Sequence, residues 1–78
     1  MEPLYKTSDF WIICVLVAMD FKVKKIDSDP YNTRIKHFSF QETDELYDIL
    51  LKHSNGELEV NTLTFTNAID NVKRMINL

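Results

Sequence analysis

Residues 10–19 read FWIICVLVAM, ten apolar side chains in an unbroken run, closed by Asp9 on one side and Asp20 on the other. In a chain of 78 residues no other stretch narrows the possible folds so far. A bilayer-spanning helix needs about 20 mainly apolar residues, so this run is not expected to cross a membrane. The flanking segments MEPLYKTSD and DFKVKK lack the basic start and small-residue cleavage site of a secretory leader, and export is not expected either. A buried helix or a long interior strand remains, and apolar periodicity alone does not separate the two.

The flanks favour the helix. Thr7, Ser8 and Asp9 offer side-chain oxygens to the unpaired amides of a helix start, and Asp9 suits the positive end of the helix dipole. Asp20 tolerates the left-handed turn with which helices often stop, although glycine is more usual there. The β-branched residues Ile12, Ile13, Val15 and Val17 speak for a strand. A helix that is apolar on every side must be wrapped by other elements or by a second chain. Each large side chain so buried contributes about 1.5–3 kcal/mol before chain entropy is subtracted.

After the run, FKVKKI at 21–26 alternates as a half-buried strand, with Phe21 and Val23 on one face and Lys22 and Lys24 on the other. DSDPYNT at 27–33 is a cluster of turn formers, and RIKHFSF at 34–40 reads as a second strand with Phe38 and Phe40 sharing a face. Thr43, Asp44 and Glu45 open a helix whose apolar stripe is Leu46, Ile49, Leu50 and His53, and Asn55-Gly56 ends it. ELEV at 57–60 turns Leu58 and Val60 inward and Glu57 and Glu59 outward. Asn61 caps a last helix with Phe65, Ala68, Ile69, Val72, Met75 and Ile76 at three- and four-residue steps. The expected architecture is a single α+β domain over 1–78, in the order α-β-β-α-α, with an antiparallel β-hairpin packed against helices.

Such a hairpin has two open edges. Pairing with the hairpin of another copy would give a four-stranded sheet and a homodimer, whereas edge lysines would blunt it and keep the chain monomeric. Both states are compatible with the residues.

Charge is unevenly distributed. Residues 22–37 carry five basic and two acidic side chains, whereas 38–78 carry three basic and seven acidic ones. The net charge of −3 has the wrong sign for a general polyanion binder but permits a local basic face. With 45% hydrophobic and 27% charged residues the chain should fold unaided, and its single cysteine, Cys14, excludes an internal disulfide and suits the reducing cytoplasm.

A search for chemistry finds little. The one glycine, Gly56, cannot build a phosphate-binding loop, and His37 and His53 stand on different elements with no cysteine at metal-ligand spacing. Cys14, between Ile13 and Val15, lacks the electropositive setting of a nucleophile. Asp44, Glu45 and Asp48 complement a helix dipole, and no serine has a nucleophile-elbow context. The sequence therefore predicts a protein without catalytic residues, metal or cofactor.

Two surfaces carry functional content. Lys22, Lys24 and Lys25 on one strand, Arg34, Lys36 and His37 on the next, and Tyr31 in the connecting loop are the candidate nucleic-acid contacts, since lysines can track phosphates while an aromatic ring stacks a base. The same lysines also serve as edge protection and solubility. Tyr5, Phe10 and Trp11 belong to the residue types that anchor protein interfaces, though Phe10 and Trp11 also suit the core. The leading expectation is a small interaction module that docks on a protein partner or its own copy. The alternative is a nucleic-acid accessory protein that uses the hairpin.

The chain also resembles a family of very short, functionally uncharacterised domains from bacteria and their phages. The likeness rests on KTSDF at 6–10 opening the apolar helix, Phe21 beginning the next strand and FSF at 38–40 before an acidic helix start. NGELEVN at 55–61 with Phe65 and Ala68 completes it. The resemblance implies a stand-alone intracellular domain of the bacterial host cell, plausible for a phage or mobile element, with no activity or ligand to carry over. Asp20 departs from the glycine that such domains often have at the helix exit.

Overall fold

Helix α1 (Phe10–Ala18) begins where Asp9 makes it begin. In the computed structural model, which describes residues 3–77, the Asp9 carboxylate accepts the amides of Trp11 at 3.0 Å and Ile12 at 3.2 Å. The Asp9 amide donates in turn to the Thr7 hydroxyl at 3.1 Å. Two of the amides that every helix start leaves unpaired are thus satisfied by one side chain. Met1, Glu2 and Leu78, which the single-domain expectation also spans, lie outside the described residues.

The other end of α1 closes through Asp20, whose φ of 69° is left-handed. The Asp20 amide donates to the Val17 carbonyl at 3.0 Å and the Phe21 amide to the Leu16 carbonyl at 3.0 Å, the paired bonds of a Schellman stop. Phe21 and Leu16 both join the apolar cluster, so the turn also delivers the chain onto the core.

Three strands follow from the same logic. β1 (Leu4–Thr7), β2 (Val23–Ser28) and β3 (Lys36–Gln41) form an antiparallel sheet in the order β1-β3-β2. The expected hairpin is β2–β3, displaced by about two residues because the helix stop absorbs Phe21 and the ladder runs on through Ser28. β1 is an addition that the residues did not announce. Its four side chains pair Leu4 with Gln41, Tyr5 with Phe40, Lys6 with Ser39 and Thr7 with Phe38. It occupies the edge of β3 that the hairpin alone would leave open, so self-pairing has only the outer edges of β1 and β2 available.

Phe38 and Phe40 on the inner face of β3 meet Ile13, Cys14 and Leu16 of α1, Leu46 of α2 (Asp44–Ser54) and Val72 of α3 (Thr62–Ile76) in one buried cluster. α1 packs chiefly on α3 and more lightly on α2. The wrapping expected of an all-apolar helix is incomplete, since Trp11 keeps 56% of its surface exposed.

Both later helices have the expected boundaries. Thr43 caps α2 by accepting the Leu46 amide at 3.1 Å, and Asn61 caps α3 by accepting the Thr64 amide at 3.1 Å. Gly56, at φ 69°, repeats the left-handed stop of Asp20, with its own amide on the His53 carbonyl and the Glu57 amide on that of Lys52.

Asp20→Gly removes a Cβ from a left-handed position and forfeits only the exposed Lys22–Asp20 pair at 3.2 Å. It should stabilise the fold by about 0.5–1 kcal/mol. Urea denaturation reads this as a higher midpoint at constant slope, and a lowered midpoint would show that the carboxylate itself holds the turn.

Candidate functional site

A groove of about 500 Å³ opens beside α1 and α3 where the chain leaves α2. Val15 of α1 and Phe65 of α3 contribute its apolar walls together with Leu58 and Val60 of the 57–60 segment. His53, in the last turn of α2, and Thr62 and Thr66 add the polar part. The Thr66 hydroxyl is already engaged, donating to the Thr62 carbonyl at 2.9 Å. Leu58 and Val60 are half-buried while Glu57 and Glu59 stand exposed, the alternation that the residues predict.

Beside the groove the Trp11 ring stacks on Phe65, with centroids 6.4 Å apart and planes 20° from parallel, and Phe10 meets Trp11 edge-on at 5.0 Å. Phe65 therefore belongs to both features. Of the three expected interface residues, Trp11 lies on this surface, while half-buried Phe10 packs against the core. Tyr5 lies elsewhere, opposite Phe40 in the sheet and edge-on to Tyr47 of α2 at 6.1 Å. Burial, reinforced by Glu42, raises the Tyr47 phenol above its ordinary value.

The basic hairpin differs from its sequence expectation. Val23 stands opposite Phe40 and Lys25 opposite Ser39, so Lys24 is the extra residue of a β-bulge and does not share a face with Lys22 by simple alternation. Lys25 takes the outer face, where Lys6 of β1 flanks the same buried Ser39. Asp27 lies 3.7 Å from Lys25 and 3.9 Å from Lys6, Asp20 pairs with Lys22, and the Lys36 ammonium donates to the Ser28 hydroxyl at 2.9 Å. Among the described residues, Lys24 and Arg34 have no carboxylate within 4.0 Å. Tyr31 is 97% exposed at the loop.

His37 is tied to the loop. Its Nε2 donates to Asp29 at 3.0 Å, and the same carboxylate accepts the amides of Tyr31 at 3.0 Å and Asn32 at 2.9 Å. The His37 hydrogen bond, followed by that of the Tyr31 amide, holds the Asp29 carboxyl below its ordinary value. Cys14 is fully buried, and desolvation pushes its thiol up to about 11 despite the nearby Lys73.

The architecture is thus a small α+β domain with helices on one face of an antiparallel sheet and an apolar groove between two of them. The chain belongs to the family described as Domain of unknown function (DUF5659), whose model matches residues 2–78. No curated protein and no solved structure matches it significantly. Among the described residues no helix is long and apolar enough to cross a membrane, and no group of three His, Cys, Asp or Glu side chains is placed to hold a metal.

Val15, Leu58, Val60 and Phe65 were individually readable as inward-facing; that together they frame a groove was not. The spacing of Thr62, Phe65 and Thr66 on one helical face, next to the ELEV alternation, is the signal that could have joined them.

Two outcomes test these assignments. Since an elevated thiol pKa leaves little thiolate, native Cys14 should react with a disulfide reagent at pH 8 roughly a hundredfold more slowly than in urea, and equal rates would contradict its burial. A depressed carboxyl contributes order that is present above its ordinary value and lost as pH falls through the folded one. The Tyr31 and Asn32 amide signals should therefore keep their folded positions down to about pH 4 and drift to coil values only below it. Collapse already at mildly acidic pH would show that Asp29 is not what orders the loop.

Proposed function

We propose that the protein is a non-enzymatic interaction module that docks a protein partner at the groove and the adjoining Trp11–Phe65 stack. The observation that carries this reading is a large aromatic ring, 56% exposed, stacked on the wall of an apolar groove of about 500 Å³. Aromatic anchors beside preformed apolar clefts are where interfaces concentrate their binding free energy. The floor is rigid: Val15 and Phe65 belong to helices, and the 57–60 segment is fixed by the Gly56 stop before it and the Asn61 cap after it. A free buried thiol suits work in a reducing cytoplasm, and a host cell carrying a phage or mobile element is the setting we favour.

A second reading, nucleic-acid binding, draws support from Tyr31, Lys24 and Arg34 at the hairpin. It is weakened by Asp20, Asp27 and Asp29, which engage neighbouring Lys22, Lys25 and His37. A mobility shift at low salt that fades steeply as salt rises would favour it.

Site-specific photo-cross-linking in the cells that make the protein tests the docking reading. A benzophenone side chain at Glu59 on the groove rim should give a discrete protein adduct, whereas one at Gln41 on the sheet should not. Trp11→Ala should weaken the adduct about tenfold, on the scale of an aromatic anchor. Absence of an adduct at Glu59, or indifference to Trp11→Ala, would refute it.

A further inference from the structure

The sheet ends on one side at β2, a strand of six residues with an open outer edge, against four residues at the free edge of β1. Ile26 sits near the middle of the β2 edge. It stands opposite Phe38 and so faces the helix side of the sheet, yet it stays outside the buried cluster and 36% exposed. On the outer face its neighbours Lys25 and Asp27 stand opposite Ser39 and His37, with ammonium and carboxylate 3.7 Å apart.

An open edge pairs with another strand unless something prevents it, and lysine is a common guard. Edge lysines repel strands of arbitrary sequence, but not one that brings a carboxylate to the position directly opposite. β2 is itself such a strand. Antiparallel pairing with the β2 of a second copy, centred on Ile26, sets Ile26 against the second copy's Ile26 and each Lys25 against the other copy's Asp27. The four charges around the axis then alternate in sign. A register shifted by two residues sets Lys25 against Lys25 or Asp27 against Asp27, like charges in direct opposition. A shift of one residue sets Ile26 against Lys25 or Asp27, an apolar side chain against a charge.

We infer that β2 is a homodimerisation edge, through which two copies join their sheets in this one register about a two-fold axis at Ile26. The contact is isologous and closes at two copies. Its ladder is short, because the bulge at Lys24 leaves regular register only at residues 25–28, so the dimer is weak and forms at high concentration. Residues directly opposite one another share a face, so the helices of both copies, and with them both grooves, lie on one side of the joined sheet. The dimer goes beyond the docking reading and stands without it; if both hold, the module is bivalent, and a partner with two docking segments gains avidity.

Sedimentation of the full chain from about 10 μM to 1 mM should show the mass rising towards that of a dimer. Lys25→Glu and Asp27→Lys each place like charges opposite one another and should weaken self-association roughly tenfold. An equimolar mixture of these two variants should recover it, because each reversed charge then meets its opposite. Exchanging both charges in one chain, Lys25→Asp with Asp27→Lys, leaves the net charge unchanged and should keep the dimer. Amide exchange should slow with concentration along β2 and not along β1.

A monomer throughout that range overturns the dimer. So does self-association that survives either single reversal, a mixture that stays monomeric, or protection that grows at β1 or the groove instead. Should the double exchange fail to fold by circular dichroism, the mixture decides. Loss of the Glu59 cross-link would sink the docking reading and leave the dimer standing.

Discussion

Everything in this fold is arranged around α1, whose Ile13, Cys14 and Leu16 share one buried cluster with Phe38 and Phe40 of β3, Leu46 of α2 and Val72 of α3. α1 has no polar face to turn to water, so each of its sides needs a cover and no single layer supplies one. The sheet covers one side, Ala68 and Val72 of α3 another, and Leu46 of α2 a third. Among the described residues, these elements leave Trp11 of α1 56% exposed. Trp11, in the first turn, is the side chain of α1 left exposed, whereas Val15, at the groove, is buried.

The helix ends were readable because capping is local chemistry. Asp9, Thr43, Asn61, Asp20 and Gly56 act on amides and carbonyls within a few residues, and the structure uses each where the sequence offers it. β1 was hidden because LYKT is too short to show a period, and what makes it a strand is the free edge of β3, more than thirty residues away. The bulge at Lys24 was hidden for a related reason. Alternation assumes an uninterrupted ladder, and the tight exit from α1 places Val23 against Phe40 while Ile26 must still face Phe38, which three residues can satisfy only with one extra. Interface candidates fared according to their packing: Tyr5 was drawn to Tyr47 and the sheet, Phe10 to the core, and only Trp11 stayed outward.

Charge shows the same difference between composition and geometry. Residues 22–37 are basic by count, yet Asp27 lies between Lys6 and Lys25, and Asp29 is engaged by His37. These contacts are mostly exposed and contribute little to stability. Their consequence is for binding, because a phosphate approaching the sheet must compete with a carboxylate already in place. The acidic half has no comparable compensation around the groove, where Glu57 and Glu59 make no ion pair among the described residues. Among the described residues, both segments therefore keep unpaired charge of opposite sign, Lys24 and Arg34 at the hairpin and Glu57 and Glu59 between α2 and α3.

Rigidity then decides which surface can bind economically. Association costs free energy for every side chain and loop that must be ordered, so a wall already fixed in place begins with an advantage. The 57–60 segment is short and anchored at both ends, with Leu58 and Val60 half-buried before any partner arrives. Trp11 has few rotatable bonds and is already stacked on Phe65. Lys24 and Arg34, by contrast, are long, exposed side chains that would surrender their rotamer freedom to make single contacts. The packing that leaves Trp11 exposed thus also fixes its ring against Phe65, and the exposed ring and the groove wall are one feature of the fold.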